Sequence, residues 1–179
     1  MILTKDIIQQ GHKTLKLKAK EISFPLSKEN IKIANSILSY IKNSTDEEIS
    51  KKYDLRAAVG LAAPQINHSI KMMGIVIPKV NEDSFDFEHI FINPKIISHS
   101  EQMCYLSSGE GCLSVKENVS GFVPRYKKIT IEAYNIDGEK FTMRLKDFYS
   151  IVFQHEYDHL DGILFTEKIT DDVSGIDPI

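Results

Sequence analysis

Apolar residues change their spacing twice along this chain, and the order of those changes limits its fold more than any other feature. Between residues 29 and 41 they recur at steps of three and four, the period of a helix that buries one face. Between residues 70 and 145 they form short buried or alternating runs, which are typical of strands. A second helical stripe begins at Asp147, its expected cap, and ends at Gly162. Helix, strands and helix in this order predict an α+β fold rather than repeated βαβ units.

Local signals add detail to the first helix and to the strands. Ser27 is the expected N-cap of a long N-terminal helix, whose apolar face weakens near residue 45 and resumes at Ile49. Asp137-Gly138 stands between two alternating runs. This dipeptide predicts a tight hairpin in which both turn residues take positive φ.

Length and composition favour a single domain that spans residues 1–179. Lys and Arg total 22 against 25 Asp and Glu, and the net charge of −3 argues against a protein that reads nucleic acid directly. The sequence shows no signal peptide and no run long enough for a membrane span, so we expect a cytoplasmic protein without a membrane partner. Two cysteines are too few for a disulfide framework. Because a chain of this size folds without a metal staple, a metal site here would serve chemistry.

The strongest chemical signal is the pattern His155-Glu156-x-x-His159. Residues four apart on a helix project from the same face, so the two imidazoles can hold one divalent cation while Glu156 moves a proton. Chance spacing of two histidines is less favoured, because the glutamate must also be in place. Ile151 and Val152, one turn earlier, predict an apolar wall beside the metal.

A catalytic metal usually has three protein ligands and one open position, so the histidine pair needs a third partner. The downstream positions do not supply it, because residue 165 is Phe and Glu167 is too close to the second histidine. Upstream, Cys112 follows Gly111, and a thiolate is a strong ligand for a borderline-soft metal. Cys104 has no comparable context and is assigned to packing.

A third segment consists of small residues and ends in a neutral amide: Gly60-Leu61-Ala62-Ala63-Pro64-Gln65. The Gln65 side chain can donate a hydrogen bond without changing its protonation state. Taken alone, the segment is more typical of an ordinary turn after a helix.

Together the three segments resemble the peptide deformylase family. That family is marked by Gly-x-Gly-Leu-Ala-Ala-Pro-Gln, Glu-Gly-Cys-Leu-Ser and Gln-His-Glu-x-Asp-His-Leu-x-Gly motifs, which correspond to residues 60–65, 110–114 and 154–162 here. The flanks are similar to the longer, Gram-positive-like type, so the resemblance covers nearly the whole chain. Ala58 departs from the pattern because it stands where the family usually has the first Gly, a change that a negative φ would tolerate.

By that resemblance we expect an enzyme that removes the formyl group from N-formyl-methionine of newly synthesised proteins. Antiparallel and mixed β-sheets would pack around a central metal-binding helix. One divalent ion per chain would be held by Cys112, His155 and His159. Ligand type alone suggests zinc, whereas the family implies Fe²⁺ in the cell, with Zn²⁺, Ni²⁺ or Co²⁺ able to substitute.

The resemblance also implies a mechanism. A metal-bound water would attack the formyl carbon, while Glu156 takes its proton and returns it to the departing amine. The Gln65 side-chain amide and the Leu113 backbone N–H would stabilise the tetrahedral oxyanion. Arg125 is expected either to pair with Glu110 and brace the cysteine segment, or to be an ordinary solvated arginine.

Substrate binding is expected along two extended edges and one helix wall. The peptide would lie between the edges in the manner of an added strand, with the methionine side chain against the helix. The residues expected to bind it are Val59, Gly60, Glu110, Gly111, Ile151 and Val152.

Two alternatives from other classes stay open. A metallo-endopeptidase would use the same helix on internal peptide bonds, and a non-catalytic metal-binding or nascent-chain-binding protein would not need Glu156. The expected partners are N-formyl-methionyl peptides and nascent chains, and a contact with the ribosome exit region is left open.

Overall fold

The computed structural model describes residues 1–78, 85–116 and 119–179. Its helices are α1 (Lys28–Thr45), α2 (Glu47–Tyr53) and α3 (Asp147–Leu160). Its strands are β1 (Gly60–Ala62), β2 (Met72–Pro78), β3 (Phe85–His99), β4 (Met103–Tyr105), β5 (Arg125–Tyr126), β6 (Lys128–Tyr134), β7 (Lys140–Lys146) and β8 (Asp177–Pro178). Within the described ranges, no helix has both the length and the apolar content needed to cross a bilayer.

Two sheets organise the chain. Five strands form an antiparallel sheet in the order β1-β2-β3-β6-β7, and β5-β4-β8 form a smaller sheet in which β4 and β8 run parallel. Helix α3 contacts strands of both sheets, whereas α1 packs on β1, β2 and β3. The predicted α+β class, with antiparallel and mixed sheets around a central helix, is confirmed.

Strand β2 is buried on both faces, and its alternation sends successive side chains to different layers. Met72 and Val76 join the apolar cluster that includes α1, while Met73 and Ile75 join the cluster that includes α3. The sheet therefore lies between the long N-terminal helix and the central helix, and β1 at its edge is held beside α3.

The N-terminal helix begins where its cap predicts and ends where its apolar face weakens. The Ser27 hydroxyl accepts the Asn30 amide at 3.1 Å, as expected for an N-cap. Helix α1 ends at Thr45, and the Asp46 carboxylate caps α2 by accepting the Ile49 amide at 2.8 Å. The resumed pattern therefore belongs to a separate short helix.

The hairpin between β6 and β7 is present, but the expected two-residue turn is wrong. Residues 135–139 form a longer loop in which Gly138 alone has positive φ (80°). The Asn135 side-chain oxygen accepts the amides of Asp137 and Glu139 at 3.0 and 2.9 Å. The Asn135 backbone carbonyl also accepts the Gly138 amide at 3.1 Å, so the main-chain and side-chain oxygens of this residue close the loop together, which periodicity cannot reveal.

The start of α3 also differs by one residue from the expectation. Lys146 is its N-cap, and Asp147 is the first helical residue, with φ 53°. The Asp147 amide donates to the Lys127 carbonyl at 2.8 Å, so strand-like pairing continues into the helix. At the other end Asp161 is the C-cap, and Gly162 follows with φ 74°, in agreement with its predicted role.

Gly74 on β2 allows α1 to approach the sheet closely. A Cβ at this position would lie 2.6 Å from Cγ2 of Ile37 and 3.4 Å from Cδ1 of Ile90. We therefore expect Gly74→Ala to lower the free energy of unfolding by about 1–3 kcal/mol through overpacking, as measured by urea denaturation. Gly111→Ala is the matched control, because a Cβ there meets nothing within 4 Å. Equal stability of both variants would contradict this account.

Candidate metal centre

Three ligand atoms from two distant parts of the chain meet at α3. Cys112 Sγ and one ring nitrogen each of His155 and His159 all lie within 4.8 Å of one another, and Sγ is 3.3 Å from Nε2 of His159. Ligands of one tetrahedral ion, with bonds of about 2.0–2.3 Å, would lie roughly 3.5 Å apart. In the part of the chain that the structure describes, this is the one such group. The structure therefore brings together the three residues that the sequence predicts as ligands.

A carboxylate fixes the orientation of the first histidine. Glu110 Oε2 lies 2.7 Å from Nδ1 of His155, which leaves Nε2 as the free ring nitrogen. Partners of this kind set the tautomer of a ligating histidine and make its ring a better ligand. Glu110 therefore holds the His155 ring from the side opposite Nε2, in addition to the place in the cleft that the sequence suggested for it.

Arg125 ties the cysteine segment to α3. Its guanidinium, 2% exposed, donates to both Glu110 oxygens at 2.8 and 2.9 Å and to Asp158 Oδ2 at 2.5 Å. Lys168 Nζ contacts the other Asp158 oxygen at 2.6 Å. The predicted Arg125–Glu110 pair is confirmed, and the alternative of a solvated arginine is wrong. Sequence reasoning missed Asp158, although a charged residue inside the histidine motif on a buried helix was an available signal.

The two buried glutamates of the site differ in their pKa. Burial would raise the pKa of Glu110, but hydrogen bonds from Arg125 and His155 outweigh it and lower the pKa to about 2. Burial raises the pKa of Glu156 to about 7, against the opposing charge of His155. Glu110 is therefore a permanent anion, whereas Glu156 sits in a setting that suits a group which gains and loses a proton.

The electrostatics of the histidines suit a cation. Burial lowers the pKa of His159 well below its usual value, so its ring is neutral, as ligation requires. Burial also acts to lower the pKa of His155, but contacts with Cys112 and Glu110 outweigh it and raise that pKa to about 10. The contacts with Cys112 and Glu110 that favour a proton on the His155 ring would also favour a divalent ion in place of that proton.

The two predicted oxyanion donors lie beside the cysteine. Gln65 Oε1 accepts the Ala62 amide at 2.8 Å, which directs Nε2 towards Cys112 Sγ (3.5 Å) and Ser114 Oγ (3.3 Å). The Leu113 N–H has no acceptor among the described residues. Two N–H donors are thus held close to the three ligand atoms.

A cleft of about 350 Å³ leads to this centre. Glu156 lines it, and its Oε2 atom is buried without a hydrogen-bond partner among the described residues. A Cβ on Gly60 would lie 2.7 Å from Cγ and Cδ of Glu156, so only glycine leaves room for this carboxylate. All six residues expected to bind substrate line the cleft, namely Val59, Gly60, Glu110, Gly111, Ile151 and Val152.

Sequence reasoning missed several residues of the cleft wall, which are Thr45, Arg56, Ala57, Ala58, Leu106 and Phe148. Phe148 precedes Ile151 by three residues on α3, so helical spacing was a usable signal for it. Arg56 had no such signal, because the hydrogen bonds of its guanidinium go to residues more than fifty positions away. Ala58 does not take positive φ, so its Cβ is accommodated where a glycine is usual.

Cys104 and Glu167, which sequence reasoning kept out of the site, lie elsewhere. Cys104 is fully buried in β4, where burial raises the pKa of its thiol to about 11, in agreement with a packing role. Glu167 pairs with Lys16 at 2.8 Å. Phe165, at the position where a third histidine would stand, stacks on the His155 ring with centroids 5.8 Å apart.

A model of the polypeptide deformylase family matches residues 4–174. The chain belongs to this family. It is 52% identical over 170 residues to the peptide deformylase of Macrococcus caseolyticus, covering 94% of this chain and 91% of the relative. It is 49% identical over 173 residues to that of Lactiplantibacillus plantarum, covering 96% and 93%.

Solved deformylases have the same fold. A mutant of peptide deformylase 1B from Arabidopsis thaliana matches with a TM-score of 0.74 at 28% identity, covering 92% of this chain and 81% of that one. The class I type b peptide deformylase of Acinetobacter baumannii, in a structure with Met-Ala-Ser bound, matches with a TM-score of 0.72 at 27% identity, covering 91% and 96%. Peptide deformylases are enzymes, so the family resemblance and the prediction of an enzyme are both confirmed.

The role of Arg125 can be tested by removing its charge. We expect Arg125→Met to lower the free energy of unfolding by about 3–5 kcal/mol in urea denaturation, because Glu110 and Asp158 would share no buried cation. Metal affinity, measured by competition with a chelator, is expected to fall by about 10–100-fold as His155 loses its fixed partner. The matched control is Arg144→Met, an exposed arginine on β7. Wild-type stability in both variants would show that the network is dispensable.

Proposed function

We propose that this chain removes the formyl group from the N-terminal methionine of newly synthesised proteins, with a divalent metal ion held by Cys112, His155 and His159. The observation that carries the proposal is the meeting of these three ligand atoms on the helix that carries Glu156, whose buried Oε2 atom has no hydrogen-bond partner in the part of the chain that the structure describes. When bound, the ion supplies a Lewis acid and lowers the pKa of water. One thiolate and two neutral imidazoles suit such an ion, because they leave a divalent centre with net positive charge.

The chain's own residues supply the proton transfer and the oxyanion donors. Glu156 Oε2 accepts a proton from the attacking water and passes it to the nitrogen of the departing amine. The Gln65 side-chain amide and the Leu113 N–H donate to the formyl oxygen as negative charge develops on it. Gln65 is already oriented for this by its hydrogen bond to the Ala62 amide.

The cleft fits an extended peptide that begins with methionine. Strand β1 is an edge strand, paired with β2 on one side, and Gly60 lines the cleft. A peptide added beside β1, with Gly111 across from it, would be recognised through its backbone. Ile151 and Val152 are buried in the cleft wall and offer an apolar surface for a thioether side chain.

The metallo-endopeptidase alternative is not favoured. The third potential ligand is the upstream Cys112, while the downstream Glu167 is engaged by Lys16. In the cell we propose Fe²⁺ as the metal, with Zn²⁺, Ni²⁺ or Co²⁺ able to substitute. Because its substrates are nascent chains, the proposed place of action is the cytoplasm, with residues 1–179 acting as one catalytic domain. A contact with the ribosome exit region stays a prediction.

The direct test is formate release from formyl-Met-Ala-Ser. Glu156→Gln is expected to keep its metal and to lower turnover by about 10²–10⁴-fold, since an amide of the same shape accepts no proton. Glu29→Gln, an exposed glutamate on α1, should match the wild type. Full turnover in the Glu156 variant would remove this residue from the mechanism. Cleavage of internal bonds in an unformylated, N-blocked peptide would instead support an endopeptidase.

The proposed metal can be tested by its response to air. We expect iron-loaded protein to lose activity on aeration, because ferrous iron beside a thiolate is prone to oxidation, and nickel-loaded protein to keep it. Formate release would be followed over time in both preparations, each made anaerobically and checked by metal analysis. Equal stability of the two forms in air would contradict the assignment of Fe²⁺.

A further inference from the structure

Arg56 reaches from the rim of the cleft to the cysteine segment. It follows α2, and its guanidinium donates to the carbonyl oxygens of Leu113 (3.0 Å), Cys112 (3.2 Å) and Val115 (3.3 Å). One planar, permanently charged group thus engages three of four successive residues in the turn that carries the proposed sulfur ligand. A guanidinium is suited to this, because it offers several donors in a fixed geometry.

The backbone of Arg56 is anchored as well. Its amide donates to Thr4 Oγ1 at 3.2 Å, and the Tyr40 hydroxyl donates to its carbonyl at 3.1 Å. Tyr40 is fully buried in α1. Arg56 is an exposed residue, but its side chain extends from a backbone tied to the core and its guanidinium is held by three carbonyls, so it is not a freely moving surface group.

The peptide group between Cys112 and Leu113 links these contacts to the direction of the Leu113 N–H. This peptide is planar and trans, so the Cys112 carbonyl and the Leu113 N–H point in opposite directions. Donors on the Cys112 oxygen, which are Arg56 Nη2 and the Val115 amide (3.1 Å), therefore aim the Leu113 N–H away from themselves. That N–H has no acceptor among the described residues, and Leu113 lines the cleft.

We infer that Arg56 is a positioning residue, which holds the Leu113 N–H in the direction needed to receive the developing oxyanion. It acts through the peptide plane and not by touching the reacting atoms. This role rests on the proposed function and adds to it a residue outside the three sequence motifs. Gln9 Nε2 supports the same turn through the Leu113 carbonyl at 3.3 Å, so removing Arg56 loosens the turn without freeing it completely.

The experiment compares Arg56→Met and Arg56→Lys with the wild type as nickel-loaded enzymes. We expect kcat for formyl-Met-Ala-Ser to fall by about 10–100-fold in Arg56→Met, since a small misplacement of an oxyanion donor acts mainly on the transition state. KM, metal content and thermal midpoint should stay close to wild type. Inhibition by the product Met-Ala-Ser should also be unchanged, because the product has no formyl oxygen. Arg144→Met is the matched control.

Two further measurements ask whether the lost kcat can be restored, one with a conservative variant and one with an added guanidinium compound. Arg56→Lys should recover part of the lost kcat, because an ammonium can donate to only some of the three carbonyls. Millimolar methylguanidinium should raise the kcat of Arg56→Ala and leave Arg144→Met unaffected.

Three results would overturn the inference. Wild-type kcat in Arg56→Met would show that the turn keeps its shape unaided. A raised KM with unchanged kcat would make Arg56 a direct substrate contact. Loss of bound nickel would make it a support for the sulfur ligand instead. Absence of formate release from the wild type would sink the proposed function itself, which is a distinguishable outcome.

Discussion

The shared hydrogen bonds of Arg125 with Glu110 and Asp158 are the interaction on which the site depends. Glu110 stands two residues before Cys112, and Asp158 stands between the two histidines of α3. One guanidinium therefore connects the cysteine segment to the helix that carries both histidines. Burying these charges costs free energy unless each charge is paired. His155 is a further partner of Glu110, and Lys168 is a further partner of Asp158. The cluster therefore specifies a geometry more than it adds net stability.

The fold places this cluster by packing α3 against strands of both sheets. Strand β5 carries Arg125 in the smaller sheet, and β1 brings Gly60 to the Glu156 side chain from the larger one. Apolar clusters on both faces of the larger sheet supply the burial that holds α3 in place. The polar site is thus built largely on helix and strand elements, whereas the cysteine turn receives side-chain donors from Arg56 and Gln9.

Local patterns were enough to predict the helix face that carries His155 and His159, because residues four apart on a helix must lie together. Cys112 came from elimination, and Gln65 and Leu113 came from the resemblance to a family. The hairpin was predicted but its two-residue turn was wrong, because main-chain and side-chain oxygens of Asn135 together hold a longer loop. Contacts of Arg56 and Asp158 join distant parts of the chain, and neither periodicity nor spacing encodes such pairings.

The shortness of β1 affects how readily this edge of the sheet can pair with a second copy of the protein. An unpaired strand edge invites pairing with any extended backbone, and long open edges lead to aggregation. One edge of the larger sheet is β1, a strand of three residues whose first residue, Gly60, lines the cleft, and the opposite edge is β7. An edge this short offers few backbone groups to a strand of a neighbouring molecule. The short length and the position of β1 therefore limit edge-to-edge association at this side of the sheet.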